Sequence, residues 1–212
     1  MKLIKSLALF VMIAVLSLGC GLLDSGVHKY DTLVDKDEGA ERAWSNYEST
    51  LQRRSDLIPQ LVSVVKGSAA HEQDTLTAVI NARAQATQIT LKGEDLTDPA
   101  KVEAFQKAQA QLKGSLSRLM MVQEKYPDLQ ANKAFHDLSV SIEGTENRIL
   151  RAREEYNGAV TLFNTELRHV SGKVINPVTG HEFKPRLYFK MDPGSDKVPV
   201  VDFSKPAVDS GK

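Results

Sequence analysis

Leu129–Leu167, LQANKAFHDLSVSIEGTENRILRAREEYNGAVTLFNTEL, decides the fold. Apolar or small residues recur at Phe135, Leu138, Ile142, Thr145, Ile149, Ala152, Tyr156, Ala159 and Phe163, in alternating steps of three and four. A seam of that period, sustained over about four repeats, predicts a long helix packed along its length against other helices. Polar residues crowd beside it: Gly144-Thr145-Glu146-Asn147-Arg148, Ala152-Arg153 and Tyr156-Asn157.

Working outward, the same period appears upstream. Trp44, Tyr47, Leu51, Arg54, Ile58, Leu61 and Val65 predict a first helix over about 29–66. Pro59 has no N–H to offer the carbonyl of Ser55, at a cost of about 3 kcal/mol in a helix interior, yet the seam stays in phase through it. A kink without a break is expected. Gly67-Ser68 reads as a helix end followed by the next N-cap. Leu76, Val79, Arg83 and Ala86 mark a second helix over about 69–91. Phe105, Gln109, Leu112, Leu116 and Leu119 mark a third over about 99–125, opened by Asp98 as N-cap and Pro99 at its first position. Tyr126-Pro127-Asp128 makes the turn into the fourth, with Asp128 as its cap.

Short connections make successive helices antiparallel neighbours. The expected fold is all-α, an elongated up-down-up-down four-helix bundle over 29–170. Near-collinear second and third helices would leave three, but Gly93 and Pro99 argue against that. Beyond Ser171 the period stops. Leu187-Tyr188-Phe189 and Val198-Pro199-Val200-Val201-Asp202-Phe203 are apolar islands, expected to lie extended against the bundle within a 171–203 tail; 204–212 is expected to be disordered.

The N-terminus carries an address. Lys2 and Lys5 precede an apolar run, Leu7 to Leu18, that spans about 18 Å as a helix against a hydrocarbon core of roughly 30 Å. Residues 1–19 therefore read as a signal peptide. Leu16-Ser17-Leu18-Gly19-Cys20 resembles a bacterial lipobox, with Ser17 where Leu is usual, and makes Cys20 the expected lipidation site. The alternative is a free thiol on an uncleaved anchor. Several acyl chains on Cys20 would hold the protein stably at a membrane, where one would not. Residues 20–28 are then a tether. Gly21 in place of Asp favours the outer membrane if the cell has one. Cys20 is the single cysteine of the 212 residues, so no intramolecular disulfide can form.

Composition is that of a globular protein, 42% hydrophobic and 25% charged. Basic and acidic residues balance at 27 each, and loss of Lys2 and Lys5 leaves 25 basic against 27 acidic. That gives no footprint for nucleic acid. The chain has no nucleophile elbow, phosphate loop or dinucleotide fingerprint. None of its five histidines sits at metal-ligand spacing. Neither an enzyme nor a cofactor is expected; the alternative is an enzyme with an unfamiliar polar site around Arg54, Arg83 and Glu146.

The anomaly is arginine on the seam. Arg54 and Arg83 stand where the pattern asks for apolar residues, and a buried guanidinium without a partner would be costly. Glu146, Glu48, Glu72 and Asp56 are candidate partners. Three readings stay open: a snorkelling stem with a wet head; an internal network of Arg54, Asp56, Glu72, Arg83, Glu146 and Asn147 that fixes register; and a ligand site.

These residues resemble the LemA family. The carrying segments are Ala43-Trp44-Ser45, Arg53 through Val62 (RRSDLIPQLV), Val65-Lys66-Gly67, His71-Glu72, Ala82-Arg83, Tyr126-Pro127-Asp128-Leu129, Thr145-Glu146-Asn147-Arg148-Ile149, Ala152-Arg153 and Tyr156-Asn157. Tyr188-Phe189 and Val198 through Phe203 look like that family's ending, so the likeness runs in order from about Tyr30 to Phe203. Two features depart from it. A lipoprotein signal stands where members usually keep a transmembrane helix, and Val170 through Gly180 replaces the family's Phe-Pro-Ser segment and glycine-rich turn. The resemblance implies a helical, membrane-anchored envelope protein without an established catalytic activity, cofactor or substrate, hence with no active-site residues to carry over. The expected partners are the membrane, through the lipid, and an envelope protein, with homo-oligomerisation as the alternative.

Overall fold

The structure is a computed structural model of the chain. It describes residues 2–69, 71–169 and 183–190, with backbone alone over 2–29. Among the described residues five α-helices follow one another: α1 (Lys2–Ser68), α2 (Gln73–Gln88), α3 (Pro99–Met121), the single turn α4 (Pro127–Gln130) and α5 (Lys133–Arg168). Among the described residues there is no strand. The protein is all-α, as its seams predict.

All seven α1 seam residues from Trp44 to Val65 are buried, Arg54 included. On α5, Phe135, Ile142, Thr145, Ile149, Ala152, Tyr156 and Phe163 are buried, and the seam extends through Val160, Asn164 and Leu167. The helices run antiparallel to their neighbours. Asn46 meets Glu155 and Arg54 meets Glu146 across α1 and α5. Gln109 reaches the carbonyl of Ala86 across α3 and α2, and Ser139 contacts Met120 across α5 and α3.

Several boundaries differ from expectation. α1 begins at Lys2 rather than near Lys29, so helix runs through the stretch read as leader and tether. It continues past Pro59 to Ser68. α2 is capped at Glu72 without a side-chain bond, not at Ser68, and ends at Gln88 rather than Leu91. α3 closes at Met121 into a 3₁₀ turn over Val122–Lys125. Asn132, not Asp128, caps α5: its Oδ1 accepts from Ala134 N and Phe135 N at 3.0 and 3.3 Å. Pro127 suits a first helical position, so it starts its own short turn and leaves the cap to the next polar residue in extended backbone. Asp98 caps α3 as expected, accepting from Ala100 N at 2.9 Å.

At 16 residues, α2 rises about 24 Å beside the roughly 54 Å of α5. Where α2 stops, other chain takes its place. Leu91 and Leu96 fold in, and residues 183–190 lie extended along α5. The rest of the 171–203 tail and 204–212 lie outside the described residues.

Candidate functional site

The interior is three apolar blocks stacked along α1 and α5. The first holds Leu33, Phe163, Leu167 and Phe183. The second includes Trp44, Tyr47, Phe105, Tyr156 and Phe189. The third includes Ile58, Leu61, Leu112, Leu116 and Phe135. An arginine layer lies at each junction.

Arg54 separates the second block from the third. It is 2% exposed, and Nη1 donates to Glu146 Oε1 at 2.8 Å. Nη2 donates to Gln109 Oε1, whose amide in turn donates to the carbonyl of Ala86 at 3.2 Å. Three helices are thus tied to α1's guanidinium in one layer. Arg54 Nε and Ser55 Oγ are buried with no protein partner. Glu146 keeps 24% of its side chain exposed, so one end of the pair is wet and its desolvation is only partial.

Arg83 has a different task. Its Nε donates to the carbonyl of Ser55 at 2.9 Å. That is the carbonyl orphaned by Pro59, four residues on. A guanidinium from α2 supplies the donor that proline lacks, and the helix passes through without a break.

The other members of the expected network lie elsewhere. Asp56 is exposed and accepts from Gln52 at 2.7 Å. Glu72 accepts from the phenol of Tyr126 at 3.2 Å and from Thr75. Burial, then Glu72, pushes the Tyr126 phenol up. The Asn147 side chain is exposed. Only Arg54 and Glu146 of the six pair with each other. A register of 3.6 explains two of the misses: Asp56 and Asn147 each lie two positions off their seams and so face water. Cys20 falls in the part of α1 described by backbone alone.

The second layer contains residues the seam argument did not reach. Arg186, on the tail, is 8% exposed and sits between the first and second blocks. Nε and Nη2 both lie 2.9 Å from Asp37 Oδ1, and Nη1 donates to Glu41 Oε2 at 2.8 Å. Burial works against its charge. The bond to Glu41 and the charge of Asp37 outweigh it and hold Arg186 above its ordinary value. A signal existed for this layer. Counted back from Trp44 in steps of four and three, the seam passes through Ala40, Asp37 and Leu33, so Asp37 is a polar residue on the apolar line just as Arg54 is.

Two asparagines bind the tail to α5. Asn164 Nδ2 donates to Arg186 O at 2.8 Å and its Oδ1 accepts from Arg186 N at 3.0 Å. Asn157 does the same for Phe189, at 2.8 and 2.9 Å. The spacings match. Seven helical residues rise about 10.5 Å, and three extended residues span about 10 Å. One amide per heptad therefore meets every third tail residue. Tyr156 Oη donates to Leu187 O at 3.2 Å, Arg153 to Lys190 O at 3.3 Å, and Leu187 N to Leu96 O at 2.9 Å.

The bonds seat Phe189 in an aromatic box. Trp44 stacks on it with ring centres 5.4 Å apart, and Tyr47, Phe105 and Tyr156 surround it at 5.1–5.7 Å. Burial pushes the Tyr156 phenol well up; the charge of Arg186 opposes this and that of Glu41 adds to it.

Chemically, both layers are self-consuming. Among the described residues, the guanidinium, carboxylate and amide groups of these layers meet chiefly one another, with Arg54 Nε and Ser55 Oγ left over. Among the described residues no group of three His, Cys, Asp or Glu could hold a metal ion, and no helix is long and apolar enough to cross a membrane.

Comparison with known proteins matches residues 43–203 to the model of the LemA family. The magnetosome protein MamQ 2 of Paramagnetospirillum magneticum is 29% identical over 189 residues, covering 82% of this chain and 68% of that protein. MamQ of Magnetospirillum gryphiswaldense is 26% identical over 209 residues, covering 91% and 75%. Protein LemA of Metamycoplasma hominis is 23% identical over 158 residues, covering 74% and 68%.

Proposed function

This chain belongs to the LemA family, and from that premise we propose that it is a lipid-anchored envelope protein that acts by binding or scaffolding rather than by catalysis. One observation carries the second half of the reading: the charged and amide ends of Arg54, Glu146, Asn157, Asn164 and Arg186 are spent on holding the bundle and its tail together. Their job is to fix shape, and shape is what a binding protein or scaffold offers.

The anchor rests on the sequence Leu16-Ser17-Leu18-Gly19-Cys20. Helix continues from that point into the body, and Leu33, the first buried residue among those whose side chains are described, lies thirteen residues beyond Cys20. A rise of about 20 Å would hold the bundle clear of the lipid headgroups on a helical stalk. Gly21 favours the outer membrane in a cell that has one.

Radiolabelled palmitate should enter the protein and vanish in Cys20→Ser; unchanged labelling would overturn the anchor. Crosslinking in the native envelope should then capture a partner on the bundle's outer faces. Light scattering on residues 21–212 separates binding from self-assembly. A monomer at high concentration supports a partner of another kind, and a concentration-dependent oligomer makes the protein its own scaffold.

A further inference from the structure

Ser55 breaks a habit that other hydroxyls of this bundle keep. Ser115, Ser139, Ser141 and Thr145 each return their hydroxyl to a carbonyl three or four residues back, at 2.8 Å. In a helix that is how a hydroxyl satisfies itself from its own backbone. Ser55 is 3% exposed, and its Oγ bonds no protein group. Its carbonyl is already held by Arg83. A hydroxyl buried without a partner is costly, so the space beside it is informative.

That space is a partly enclosed recess of about 60 Å³ where α1, α2 and α3 meet. Leu51, Phe105 and Leu112 make its wall apolar, and among the described residues that line it Ser55 is the one buried polar side chain. Gln109 lies beside it with both ends of its amide engaged, the oxygen by Arg54 and the nitrogen on Ala86 O at 3.2 Å. Glu48, Gln52 and Ser55 follow one another in steps of four and three. They form one polar line on α1, from two exposed residues to the buried hydroxyl.

We propose that this recess is a binding site for ordered water, held at Ser55 Oγ. Water fits in size: one molecule needs roughly 10–15 Å³ of such space, so the recess takes about four. It fits in chemistry too. A serine hydroxyl both donates and accepts, and further bonds run through neighbouring waters toward Glu48 and Gln52. Other guests match less well. A cation meets the guanidiniums of Arg54 and Arg83, which bond to Gln109 and to Ser55 O at the site's edge. An anion meets Glu48 in the lining, and an apolar guest leaves Oγ unmatched. The site also bears on the Arg54 layer. Glu146 wets that layer on the α5 side, 24% exposed, and the recess brings water to Ser55 and Gln109 on the α2 side. The buried guanidinium thus lies between two wet edges, which lowers the cost of taking its charge out of water. The site does not involve Cys20 and stands whether or not that residue is lipidated.

The test is oxygen-17 relaxation dispersion of solvent water with the full chain, which counts long-lived internal waters and does not respond to hydroxyl proton exchange. The amplitude should fall by at least one water per chain in Ser55→Ala. It should hold its wild-type value in Ser115→Ala, whose hydroxyl is equally buried but bonded to Leu112 O. An unchanged amplitude in Ser55→Ala, or an equal fall in Ser115→Ala, would overturn the proposal. A second reading needs only the wild-type chain. Under xenon pressure the methyl resonances of Leu51, Ala86 and Leu112 should shift no more than those of Leu61, a buried leucine outside the recess. A larger shift at the recess methyls would show that an apolar gas fills the space, and would overturn the proposal equally.

Discussion

The two buried arginines solve the same problem in different ways. Arg54 has one carboxylate and one neutral amide, all from helices, and its Nε has no partner. Arg186 has two carboxylates one helical turn apart on α1, and its backbone N–H and C=O are held as well. The first layer is a single tie between helices already side by side. The second is a redundant tie that recruits a segment with no secondary structure of its own. Extended chain gains nothing from a helix ladder, so each of its buried backbone groups must find a partner elsewhere. That is why the tail carries more bonds per residue than any helix pair here, and why the asparagines are needed.

The sharpest way to break this comparison is at the tail's apolar anchor. Phe189→Ala should cost about 3–5 kcal/mol in urea unfolding, the usual range for a fully buried phenylalanine. It should also release protection of amides 186–189. A loss below about 1 kcal/mol would mean the tail is an accessory rather than part of the core.

Redundancy itself can be tested by removing one carboxylate from each layer. Glu146→Gln leaves Arg54 charged and buried among neutral groups, and is expected to cost on the order of 2 kcal/mol. Glu41→Gln leaves Asp37 in place and touches a side chain 47% exposed, so a cost below about 1 kcal/mol is expected. Equal losses would erase the distinction between the layers.

The smallest effect sharpens the tail's link to α5. Tyr156→Phe removes the bond to Leu187 O and should cost about 1 kcal/mol at neutral pH. Its pH signature is more telling. The folded-state pKa of Tyr156 lies above the unfolded value of about 10, so the unfolded chain sheds this proton first. Stability is then full below about pH 10 and falls as pH rises beyond it. Tyr126 is shifted the same way and contributes its own slope. Thermal melting from pH 9 to 11 should therefore decline less steeply in Tyr156→Phe than in the wild type; parallel curves would remove burial of the phenol as the cause.

Much of the fold was legible because helix packing writes itself into local spacing. Trp44 through Val65 and Phe135 through Phe163 lie on lines that can be counted without knowing what they touch, and Arg54 stood out because it broke one. The Arg54–Glu146 pair could be shortlisted the same way. Gln109 could not be told from any seam-side polar residue until α3 was placed. The partner of Arg83 is a backbone carbonyl, which leaves no letter in the sequence beyond Pro59 itself.

The sequence by itself determined an all-helical bundle, its order and the burial of its two long seams, since a period near 3.5 constrains each segment independently of its neighbours. Only the tertiary structure decided that Arg186 closes against Asp37 and Glu41, that Asn157 and Asn164 hold an extended tail, and that Phe189 fills the aromatic box. Those contacts join residues about 20 to 150 positions apart, and an extended segment adopts its path from the surface it meets rather than from any rhythm of its own.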